Sequence, residues 1–385
     1  MKFIHLADLH IGKSVCDFSM IEDQEYILKK VVELAREEKV DAVLIAGDVY
    51  DRTVPSEEAV RLFDNFIYEL TQIPVKVLVI SGNHDSYERL NFGSRLFTEK
   101  GVYFGAKYDG NIRKVTLDDD FGGVNFYLMP FVKASEVKHF NPDAEIEDYD
   151  SAIKYIIKNA NVDTAERNVI LAHQFVAGKS GEVTLSGSEG SATAHVGLVE
   201  RIGCDCFDSF DYAALGHIHK AQCVGRDEVR YSGTLLKYHI DEVADEKSIP
   251  VVTMGEKGEV SIKLEPVKPL RDMRKLKGKL ADILSADNVT DTDDYIFAVL
   301  TDEDTVMDAM SIMRQNYPNT MYVRYENSHT KELAMGDQVE RSKMRSFSEM
   351  ISDFYLEMYE TDISDEELQI MKDAAGKAGV EIETD

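Results

Sequence analysis

Three short apolar runs, separated by segments with helical spacing, constrain the fold of this chain more than any other feature. The runs are Lys2 to Ala7, Ala42 to Gly47 and Val75 to Gly82. The segments between them, Glu22 to Lys39 and Pro55 to Thr71, are predicted to be helices. Nearly continuous apolar strands that alternate with helices are typical of parallel sheets covered on both faces. Because ligands bind such sheets at the carboxyl ends of the strands, we expect a functional site there.

A second group of strands is predicted farther along the chain. A long segment within this group, Ala177 to Ala194, is rich in Gly, Ser and Thr and is predicted to be a loop. The predicted strands are Asn125 to Phe131, Asn168 to His173, Asp211 to His219, Val229 to Thr234 and Pro250 to Met254. Together with the first group they predict one large α/β unit.

The length of 385 residues favours two or three domains, since a domain usually has about 100–200 residues. We expect a large α/β domain at residues 1–266 and a small α/β domain at residues 267–335, with a helix from Asp304 to Asn316. A helical tail is expected at residues 340–385. Within it, the sequence from Ser364 to Glu367 has the pattern of a capping box that begins a last helix.

The composition argues against a membrane protein and against a disulfide scaffold. No apolar run approaches the roughly 20 residues of a membrane span, and the first ten residues lack the pattern of a signal peptide. We therefore expect a cytoplasmic protein that does not bind a membrane. The cysteines lack the usual spacing of a zinc site and are expected to be reduced thiols: Cys16, Cys204, Cys206 and Cys223.

Polar side chains follow five of the apolar runs, each at the point where the run ends. They are carboxylates, an amide and imidazoles, which suit divalent transition metals. Asp8 and His10 can reach one ion, because residues i and i+2 of an extended segment point the same way. Asp48 can bridge two ions about 3.5–4 Å apart, because a carboxylate has two oxygens. The five segments are Asp8-x-His10, Gly47-Asp48-x-x-Asp51, Gly82-Asn83-His84-Asp85, Ala172-His173 and Gly216-His217-x-His219.

Each of these segments by itself has an ordinary structural explanation. A single histidine at the end of a strand is more often a core or surface residue than a metal ligand. The residues from Gly82 to Asp85 have the composition of a turn. The occurrence of all five segments after predicted strands favours one shared metal site over five separate structural roles.

The order of the five segments resembles the signature of the calcineurin-like metallophosphoesterases. The resemblance implies a fold of two packed mixed β-sheets flanked by helices. It also implies phosphodiester hydrolysis by a hydroxide that bridges two metal ions, with His84 as general acid and Asp51 behind it as the residue that orients its ring. One ion would be bound by Asp8, His10, Asp48 and His219, and the other by Asp48, Asn83, His173 and His217.

Longer stretches of the first 265 residues resemble the SbcD nuclease family in the same order. They include GNHDSYERL from Gly82 to Leu90, FDYAALGHIHKAQ from Phe210 to Gln222 and RYSGTLLKY from Arg230 to Tyr238. The resemblance implies a DNA-repair nuclease with two divalent ions, Mn²⁺ or alternatively Mg²⁺. Such an enzyme is a 3′–5′ exonuclease on double-stranded DNA and an endonuclease on single-stranded or hairpin DNA. The small α/β domain would be its capping domain.

The same resemblance implies protein partners as well as DNA. The chain would form a homodimer within a heterotetramer that contains an SbcC-type ATPase, and it would be associated with the nucleoid when at work. An apolar stripe on the helical tail would dock on the ATPase, or alternatively pack on the chain's own large domain. The stripe consists of Phe347, Ile351, Phe354, Tyr355 and Met358.

The net charge of −28 disagrees with a protein that grips DNA alone. Either the substrate is not a nucleic acid, or metals and a partner supply the positive charge. One basic run could contact phosphates, although charge runs are more often solvated surface. That run is Arg271, Arg274, Lys275, Lys277 and Lys279. Thr234 stands where the family more usually has serine or another small residue, and the family suggests no role for His195.

Two other functions are compatible with the motifs. The first is a small-molecule phosphodiesterase or a phosphatase, since Asp51 and Arg52 resemble the protein phosphatases, although Thr53 stands where those enzymes have Gly. The second is a non-catalytic scaffold, which would be expected to lose ligand residues. All the ligand positions and His84 are present in this chain, which favours an enzyme.

Overall fold

Two mixed β-sheets form the framework of the large α/β region. The computed structural model describes residues 1–178, 183–185, 201–328, 355, 363–364 and 367–372. The strands of these residues are β1 (Lys2–Leu6), β2 (Ser14–Val15), β3 (Phe18–Ser19), β4 (Ala42–Ala46), β5 (Lys76–Ile80), β6 (Val102–Gly105), β7 (Arg113–Asp119), β8 (Gly122–Met129), β9 (Arg167–His173), β10 (Val176–Ala177), β11 (Ile202–Gly203), β12 (Tyr212–Gly216), β13 (Gln222–Val224), β14 (Arg226–Tyr231), β15 (Ser248–Met254), β16 (Val260–Pro266), β17 (Met273–Gly278), β18 (Tyr295–Leu300) and β19 (Thr320–Tyr325).

Helices connect these strands. The α-helices are α1 (Ile21–Glu37), α2 (Glu57–Thr71), α3 (Tyr87–Leu90), α4 (Ser94–Thr98), α5 (Ala134–Phe140), α6 (Tyr149–Asn159), α7 (Leu280–Ile283) and α8 (Ala309–Asn316). None of these helices is long and apolar enough to cross a membrane. Helix α8 corrects one prediction, since the helix expected from Asp304 begins only at Ala309. Asp308 has a left-handed backbone with φ of 57°, which does not continue a right-handed helix.

The first sheet has the strand order β16-β15-β1-β4-β5-β6, and the second has the order β13-β14-β12-β9-β8-β7. In the first sheet β1, β4, β5 and β6 are parallel neighbours, whereas β15 and β16 pair antiparallel. In the second sheet β8, β9, β12 and β14 are parallel, with antiparallel strands at both edges. The expected fold of two mixed sheets flanked by helices is therefore confirmed.

Apolar side chains from both sheets form the layer between them. Phe3, Leu44 and Leu78 of the first sheet belong to one buried cluster with Phe126 and Leu171 of the second. Each of these side chains is fully buried, which stabilises the fold by about 1.5–3 kcal/mol per side chain. Because strand residues point alternately to the two faces, the same strands also contribute to the outer cores.

Amphipathic helices cover the outer faces of the two sheets. Helix α1 buries Ile27 and Val31, and α2 buries Leu62 and Phe66, in the cluster on the first sheet. Helix α6 buries Ile153 and its neighbours in the cluster on the second sheet. The predicted segments from Glu22 and Pro55 are thus helical, with ends within a few residues of those expected.

The chain divides into two compact units. The first consists of Met1–Leu276, Ile283–Ala298 and Asp308–Val323, and the second of Lys277–Asp282, Val299–Met307 and Arg324–Asp385. A small three-stranded sheet has the strand order β17-β18-β19. The domain boundaries proposed from the sequence stay predictions.

The capping box of the last helix is present in the second unit. Oγ of Ser364 donates to Oε2 of Glu367 at 2.6 Å, and the Glu367 amide donates back to Oγ at 3.4 Å. Residues 367–372 are helical. The hydroxyl of Tyr355, from the predicted apolar stripe, donates to Oε1 of Glu367 at 2.9 Å. The rest of that stripe, His195 and most of the predicted loop from Ala177 to Ala194 lie outside the described residues.

Candidate metal centre

All five polar segments lie at the carboxyl ends of neighbouring parallel strands. In the first sheet they follow β1, β4 and β5, and in the second sheet they follow or end β9 and β12. The two groups meet because the sheets pack face to face with these strand ends on the same side, as the contact between His173 and Ala46 shows. The topology therefore gathers residues that are up to 211 positions apart in the chain, from Asp8 to His219.

Six of the seven predicted ligand residues surround the carboxylate of the seventh, Asp48. We call Asp8, His10 and His219 the inner half of the site, and Asn83, His173 and His217 the outer half. In the inner half, Nε2 of His10 lies 3.0 Å from Nε2 of His219 and 3.6 Å from Oδ2 of Asp48. In the outer half, Oδ1 of Asn83 lies 3.1 Å from both Nε2 of His173 and Nδ1 of His217. Nε2 of His173 lies 3.4 Å from Oδ2 of Asp48, which stands between the halves.

Four of these residues have a left-handed backbone. The φ angles are 53° at Asp8, 43° at His10, 49° at Asp48 and 99° at His217. Residues with a β-carbon seldom adopt positive φ, and each such residue costs about 1–3 kcal/mol unless its surroundings hold it there. Backbone strain concentrated at strand ends is typical of functional sites, because it aims side chains that regular structure would point elsewhere.

Two glycines allow the strands of the two sheets to approach this closely. A β-carbon at Gly216 would lie 2.0 Å from the carbonyl oxygen of Ala46 and 2.7 Å from Nδ1 of His173. A β-carbon at Gly47, whose φ is +88°, would lie 2.3 Å from the same imidazole nitrogen. None of these three contacts is sterically allowed, so both positions require glycine.

Asp85 is a residue of the site whose role the sequence did not reveal. Its carboxylate accepts hydrogen bonds from the amides of Val49 at 3.1 Å, Tyr50 at 3.0 Å and Gly82 at 2.9 Å. It thus joins the loop after β4 to the loop after β5. Burial, and then the carboxylate of Asp48, raise the pKa of Asp85 to about 6. The sequence places Asp85 in the polar segment from Gly82 to Asp85. Its role as a hydrogen-bond acceptor could not be predicted, because two of the amides that donate to it belong to a different loop.

Gln24 and Tyr238 support the loop that carries the inner half, and neither was predicted to do so. The buried amide of Gln24 donates to the carbonyl oxygen of His10 at 2.8 Å, and its Oε1 accepts from the amide of Gly12 at 2.9 Å. The Tyr238 hydroxyl donates to the carbonyl oxygen of Leu9 at 3.0 Å. These contacts satisfy main-chain groups of an irregular buried segment, which fixes its path.

A buried ion pair lies behind His219. Nζ of Lys247 lies 2.6 Å from Oε2 of Glu242 and donates to the carbonyl oxygen of His219 at 3.2 Å. It also donates to Oγ1 of Thr234 at 2.8 Å. Thr234, the position that differs from the family, therefore supplies an acceptor behind the site. Burying an ion pair is costly unless its groups are hydrogen-bonded in this way.

The predicted general acid and its partner contact each other through a main-chain atom. Nδ1 of His84 lies 2.8 Å from the carbonyl oxygen of Asp51. The Asp51 carboxylate accepts instead from Nζ of Lys13 at 2.8 Å. The resemblance implied that Asp51 orients the ring of His84. In the structure its carbonyl oxygen rather than its carboxylate is in contact with that ring, and the orienting role stays a prediction.

His173, in the outer half, differs from the other three predicted ligand histidines in its electrostatic surroundings. Burial lowers the pKa of His10 to about 3 and lowers the pKa of His219 well below its ordinary value. Burial also lowers the pKa of His217 to about 3. At His173, burial opposes the charged ring, but the Asp48 carboxylate outweighs it and raises the pKa to about 9. His10, His217 and His219 are therefore in the neutral form that binds metals.

The donor set fits two divalent ions. Carboxylate and imidazole atoms converge within 4.8 Å of one another in three overlapping groups, and Asp48 belongs to two of them. All the residues of these groups are buried except the predicted general acid His84, which is half-buried. Nε2 of His10 and Nε2 of His219 lie 3.0 Å apart beside carboxylates, so the two rings are placed to bind the same cation through these nitrogens. Oxygen and nitrogen donors without thiolates suit ions such as Mn²⁺, Mg²⁺, Fe²⁺ or Zn²⁺. The residues present thus fit the two-ion site that the fold implies.

Several side chains of the predicted basic run form ion pairs with carboxylates of the same chain. Arg271 pairs with Glu22 and lies 3.3 Å from Asp23, and Nε of Arg274 lies 2.7 Å from Asp294. Lys277, farther along the run, pairs with Glu326. Lys275 and Lys279 are exposed. These ion pairs favour a structural role for the two arginines over phosphate binding.

Comparison with known proteins identifies two regions of the chain. Residues 1–221 match the calcineurin-like phosphoesterase family. Residues 269–359 match the SbcD C-terminal family, which is described as the type 5 capsule protein repressor C-terminal domain.

Among solved structures, a dimetal phosphatase from Danio rerio is similar at 15% identity and a TM-score of 0.40, over 70% of this chain and 98% of that one. An archaeal phosphodiesterase is similar at 14% identity and a TM-score of 0.30, over 69% of this chain and 99% of that one. The family match covers more than half of the chain, including each of the five polar segments. This chain belongs to the calcineurin-like phosphoesterase family.

Proposed function

We propose that this chain is a two-metal DNA nuclease, the hydrolytic subunit of an SbcC–SbcD-type repair complex. The observation that carries the proposal is the convergence of seven ligand residues and His84 at the strand ends of both sheets. The match of residues 269–359 to the SbcD C-terminal family supports the nuclease branch over the other branches of the family. The reaction would be 3′–5′ exonuclease cleavage of duplex DNA and endonuclease cleavage of single strands and hairpins.

The inner half and Asp48 would bind one divalent ion, and the outer half and Asp48 the other. Mn²⁺ is the ion that we propose, with Mg²⁺ as the alternative. Bound together, the two ions would offset the charge of the phosphodiester and lower the pKa of a water molecule for attack on phosphorus. The protein would contribute the positions of the donors, which the strained backbone and the contacts of Asp85, Gln24 and Lys247 support.

His84 would protonate the leaving oxygen of the cleaved strand. Its Nδ1 faces the carbonyl oxygen of Asp51, which can only accept, so Nδ1 keeps its hydrogen. The proton that can be transferred is therefore carried by Nε2, on the opposite side of the ring. His84 is only partly buried, and its ring packs edge-on against that of His10 with centroids 4.9 Å apart. It can thus reach a substrate that is bound at the neighbouring ion site.

The negative net charge of the chain favours a role for a partner protein in DNA binding. With a net charge of −28, and with Arg271 and Arg274 paired to carboxylates, positive charge for the DNA backbone would come from the two ions and from the SbcC-type ATPase. The helical tail would dock on that ATPase. Exposed apolar side chains after α3 and in α4, Phe92 at 84% exposure and Leu96 at 73%, support a homodimer contact of the large domain.

The test compares the purified chain with its His84→Gln variant. Substrates are a duplex labelled at its 3′ end and a labelled hairpin in Mn²⁺, with bis-p-nitrophenyl phosphate as a small diester. We expect DNA cleavage by the unchanged chain and a loss of about 10²–10⁴-fold in the variant, the usual contribution of a general acid. Metal content should be equal in the two proteins.

Other outcomes separate the alternatives. Hydrolysis of the small diester with intact DNA, even after addition of an SbcC-type ATPase, would indicate a small-molecule phosphodiesterase. Absence of metal binding and of all hydrolysis would indicate a non-catalytic scaffold.

A further inference from the structure

Asp51 presents different atoms to two histidines of the site. Its carbonyl oxygen lies 2.8 Å from Nδ1 of His84. Its carboxylate oxygen Oδ1 lies 3.6 Å from Nδ1 of His10. The side chain and the main chain of one residue therefore face two imidazoles that have different roles in the proposed reaction.

The backbone places Asp51 beside His10. After β1 and β4 end, the two chain segments continue to run in parallel. The His10 amide donates to the carbonyl oxygen of Asp48 at 3.0 Å, the Ile11 amide to that of Val49 at 2.9 Å, and the Asp51 amide to that of Ile11 at 3.2 Å. This ladder continues the sheet register past the strand ends, so the position of the Asp51 side chain next to His10 follows from the fold.

The two nitrogens of His10 have opposite surroundings. Nε2 faces His219 and Asp48, at 3.0 and 3.6 Å, which makes it the atom directed at an ion. Nδ1 lies on the other side of the ring, is buried, and makes no hydrogen bond within normal distance. A buried N–H without an acceptor loses its hydrogen bond to water and is destabilising. The carboxylate of Asp51 is the acceptor that faces it, and a small closure of the 3.6 Å gap would form the bond.

Lys13 holds that carboxylate in place. Its ammonium group donates to the same oxygen, Oδ1 of Asp51, at 2.8 Å, and lies 5.5 Å from the centre of the Tyr238 ring. The Lys13 amide also donates to the carbonyl oxygen of His10 at 3.0 Å. Both side chains are largely buried, with exposures of 17% for Lys13 and 15% for Asp51. Their pairing is therefore less screened by water than a surface ion pair would be.

We propose that the Asp51 carboxylate, held by Lys13, accepts the Nδ1–H of His10 and thereby sets the tautomer, the ring angle and the ion affinity of the inner half. His84 is oriented by the main chain of Asp51, independently of its side chain. Asp51 and Lys13 are positioning residues, since neither side chain would touch the ion or the substrate. The inference rests on the proposed function in so far as the inner half binds a divalent ion.

The first test measures Mn²⁺ binding to the metal-free full chain by calorimetry and by electron paramagnetic resonance. Asp51→Ala should weaken the inner-half ion about 10–100-fold, the usual effect of removing a partner of a ligating histidine. Asp51→Asn should lose less Mn²⁺ affinity than Asp51→Ala, because the amide oxygen can still accept a hydrogen bond from His10. Lys13→Met should likewise cause an intermediate loss of Mn²⁺ affinity. Asp64→Ala and Lys29→Met, at exposed positions of α2 and α1, are the matched controls and should bind like the unchanged chain.

Two further readouts separate this role from a contribution to folding or to His84. Long-range ¹⁵N–¹H spectra of the metal-free chain should show His10 as the Nδ1–H tautomer, and Asp51→Ala should give a mixture of tautomers. At saturating Mn²⁺, Asp51→Ala should retain the pH profile of diester hydrolysis, because the carbonyl that contacts His84 remains. Unfolding temperatures of Asp51→Asn and of the unchanged chain establish that the variant folds.

The results also distinguish this inference from the proposed function. An unchanged His10 tautomer together with unchanged Mn²⁺ affinity in Asp51→Ala would overturn the positioning role. A changed pH profile with unchanged affinity would assign the carboxylate to His84 instead and would likewise overturn it. Failure of the unchanged chain to bind Mn²⁺ would count against the proposed function, whereas the tautomer of His10 would still be decided by the spectra.

Discussion

The inner and outer halves of the site are built in different ways. The inner half is shielded, since Asp8, His10 and His219 are at most 3% exposed. Its loop and its ligands are braced by Gln24 and Lys247. The outer half has a fully buried histidine, His173, but it also includes an exposed residue, Asn83, and a partly exposed one, His217. A braced, shielded half suits tight ion binding, whereas an exposed half leaves room for a substrate phosphate to join the ligands.

Asp48 connects the halves, so its removal should have the largest effect on both. We expect Asp48→Ala to lower the rate of diester hydrolysis by more than about 100-fold. A loss of up to that size follows removal of a residue that only hydrogen-bonds to a metal ligand, and Asp48 is itself a predicted ligand. Mn²⁺ stoichiometry, measured by equilibrium dialysis, should fall below two per chain. Asp64→Ala, an exposed carboxylate on α2, is the control. Two tightly bound ions in Asp48→Ala would show that the halves are independent.

A substitution at Gly216 should weaken the packing between the two sheets while every predicted ligand residue is kept. Gly216→Ala should reduce the free energy of unfolding by about 3 kcal/mol, because its β-carbon would collide with the Ala46 carbonyl and with His173. The outer half should lose ions more readily than the inner half. Gly123→Ala in β8 is the matched control, since its nearest neighbour, at 3.1 Å, is a side-chain methyl. Urea unfolding of both variants makes the comparison, and equal stabilities would contradict the steric argument.

Protonation should distinguish the halves in the metal-free chain. The pKa of His173 is raised to about 9, so its ring is charged below that pH and an ion must displace the proton. Affinity for the outer ion should therefore rise about tenfold per pH unit and level off above about pH 9. The pKa of His10 is lowered to about 3 and that of His219 is also lowered, so affinity for the inner ion should hardly change from pH 6.5 to 8.5.

Calorimetry in two buffers with different enthalpies of ionisation measures the protons released on binding each ion. We expect close to one proton for the outer ion and close to none for the inner ion at pH 7. Equal proton release by both ions would contradict the difference between the halves.

The hydrogen bonds of Gln24 that support the inner half should make a smaller contribution to stability and to ion binding. Gln24→Leu preserves the approximate size of the side chain but leaves the His10 carbonyl and the Gly12 amide without their partner. We expect a loss of about 1–2 kcal/mol in the free energy of unfolding and weaker binding of the inner ion. Gln72→Leu, at an exposed position after α2, is the matched control. A larger effect on the outer ion than on the inner ion would refute the assignment of this support.

Local patterns in the sequence predicted the framework and the candidate ligands. The run from Ala42 to Gly47 predicts a buried parallel strand, and β4 occupies Ala42–Ala46. The position of Asp48 after it follows, since polar residues at the carboxyl ends of parallel strands converge. Helix α8 was predicted too long, because the left-handed backbone of Asp308 could not be read from the helical spacing. The roles of the seven ligand residues and of His84 stay predictions that the experiments above test.

The supporting residues could not be predicted in the same way. Gln24 lies on α1 among polar and apolar residues, and Lys247 belongs to a loop with ordinary charges. Each acts on a carbonyl group of a segment 14 or 28 residues away, a contact that no periodicity encodes. The partner of His84 was predicted as Asp51, but which atom of Asp51 makes the contact depends on the path of the loop.

The sequence by itself determined the elements, the fold class and the chemical types of the site, because apolar periodicity and the ligand chemistry of side chains are local properties. The tertiary structure decided how these groups are held. It brought the ends of two sheets together, selected the carbonyl of Asp51 for His84 and its carboxylate for Lys13 and His10, and gave the two halves different exposure. Those features depend on distances between distant segments and on the water that packing excludes, which only the folded chain defines.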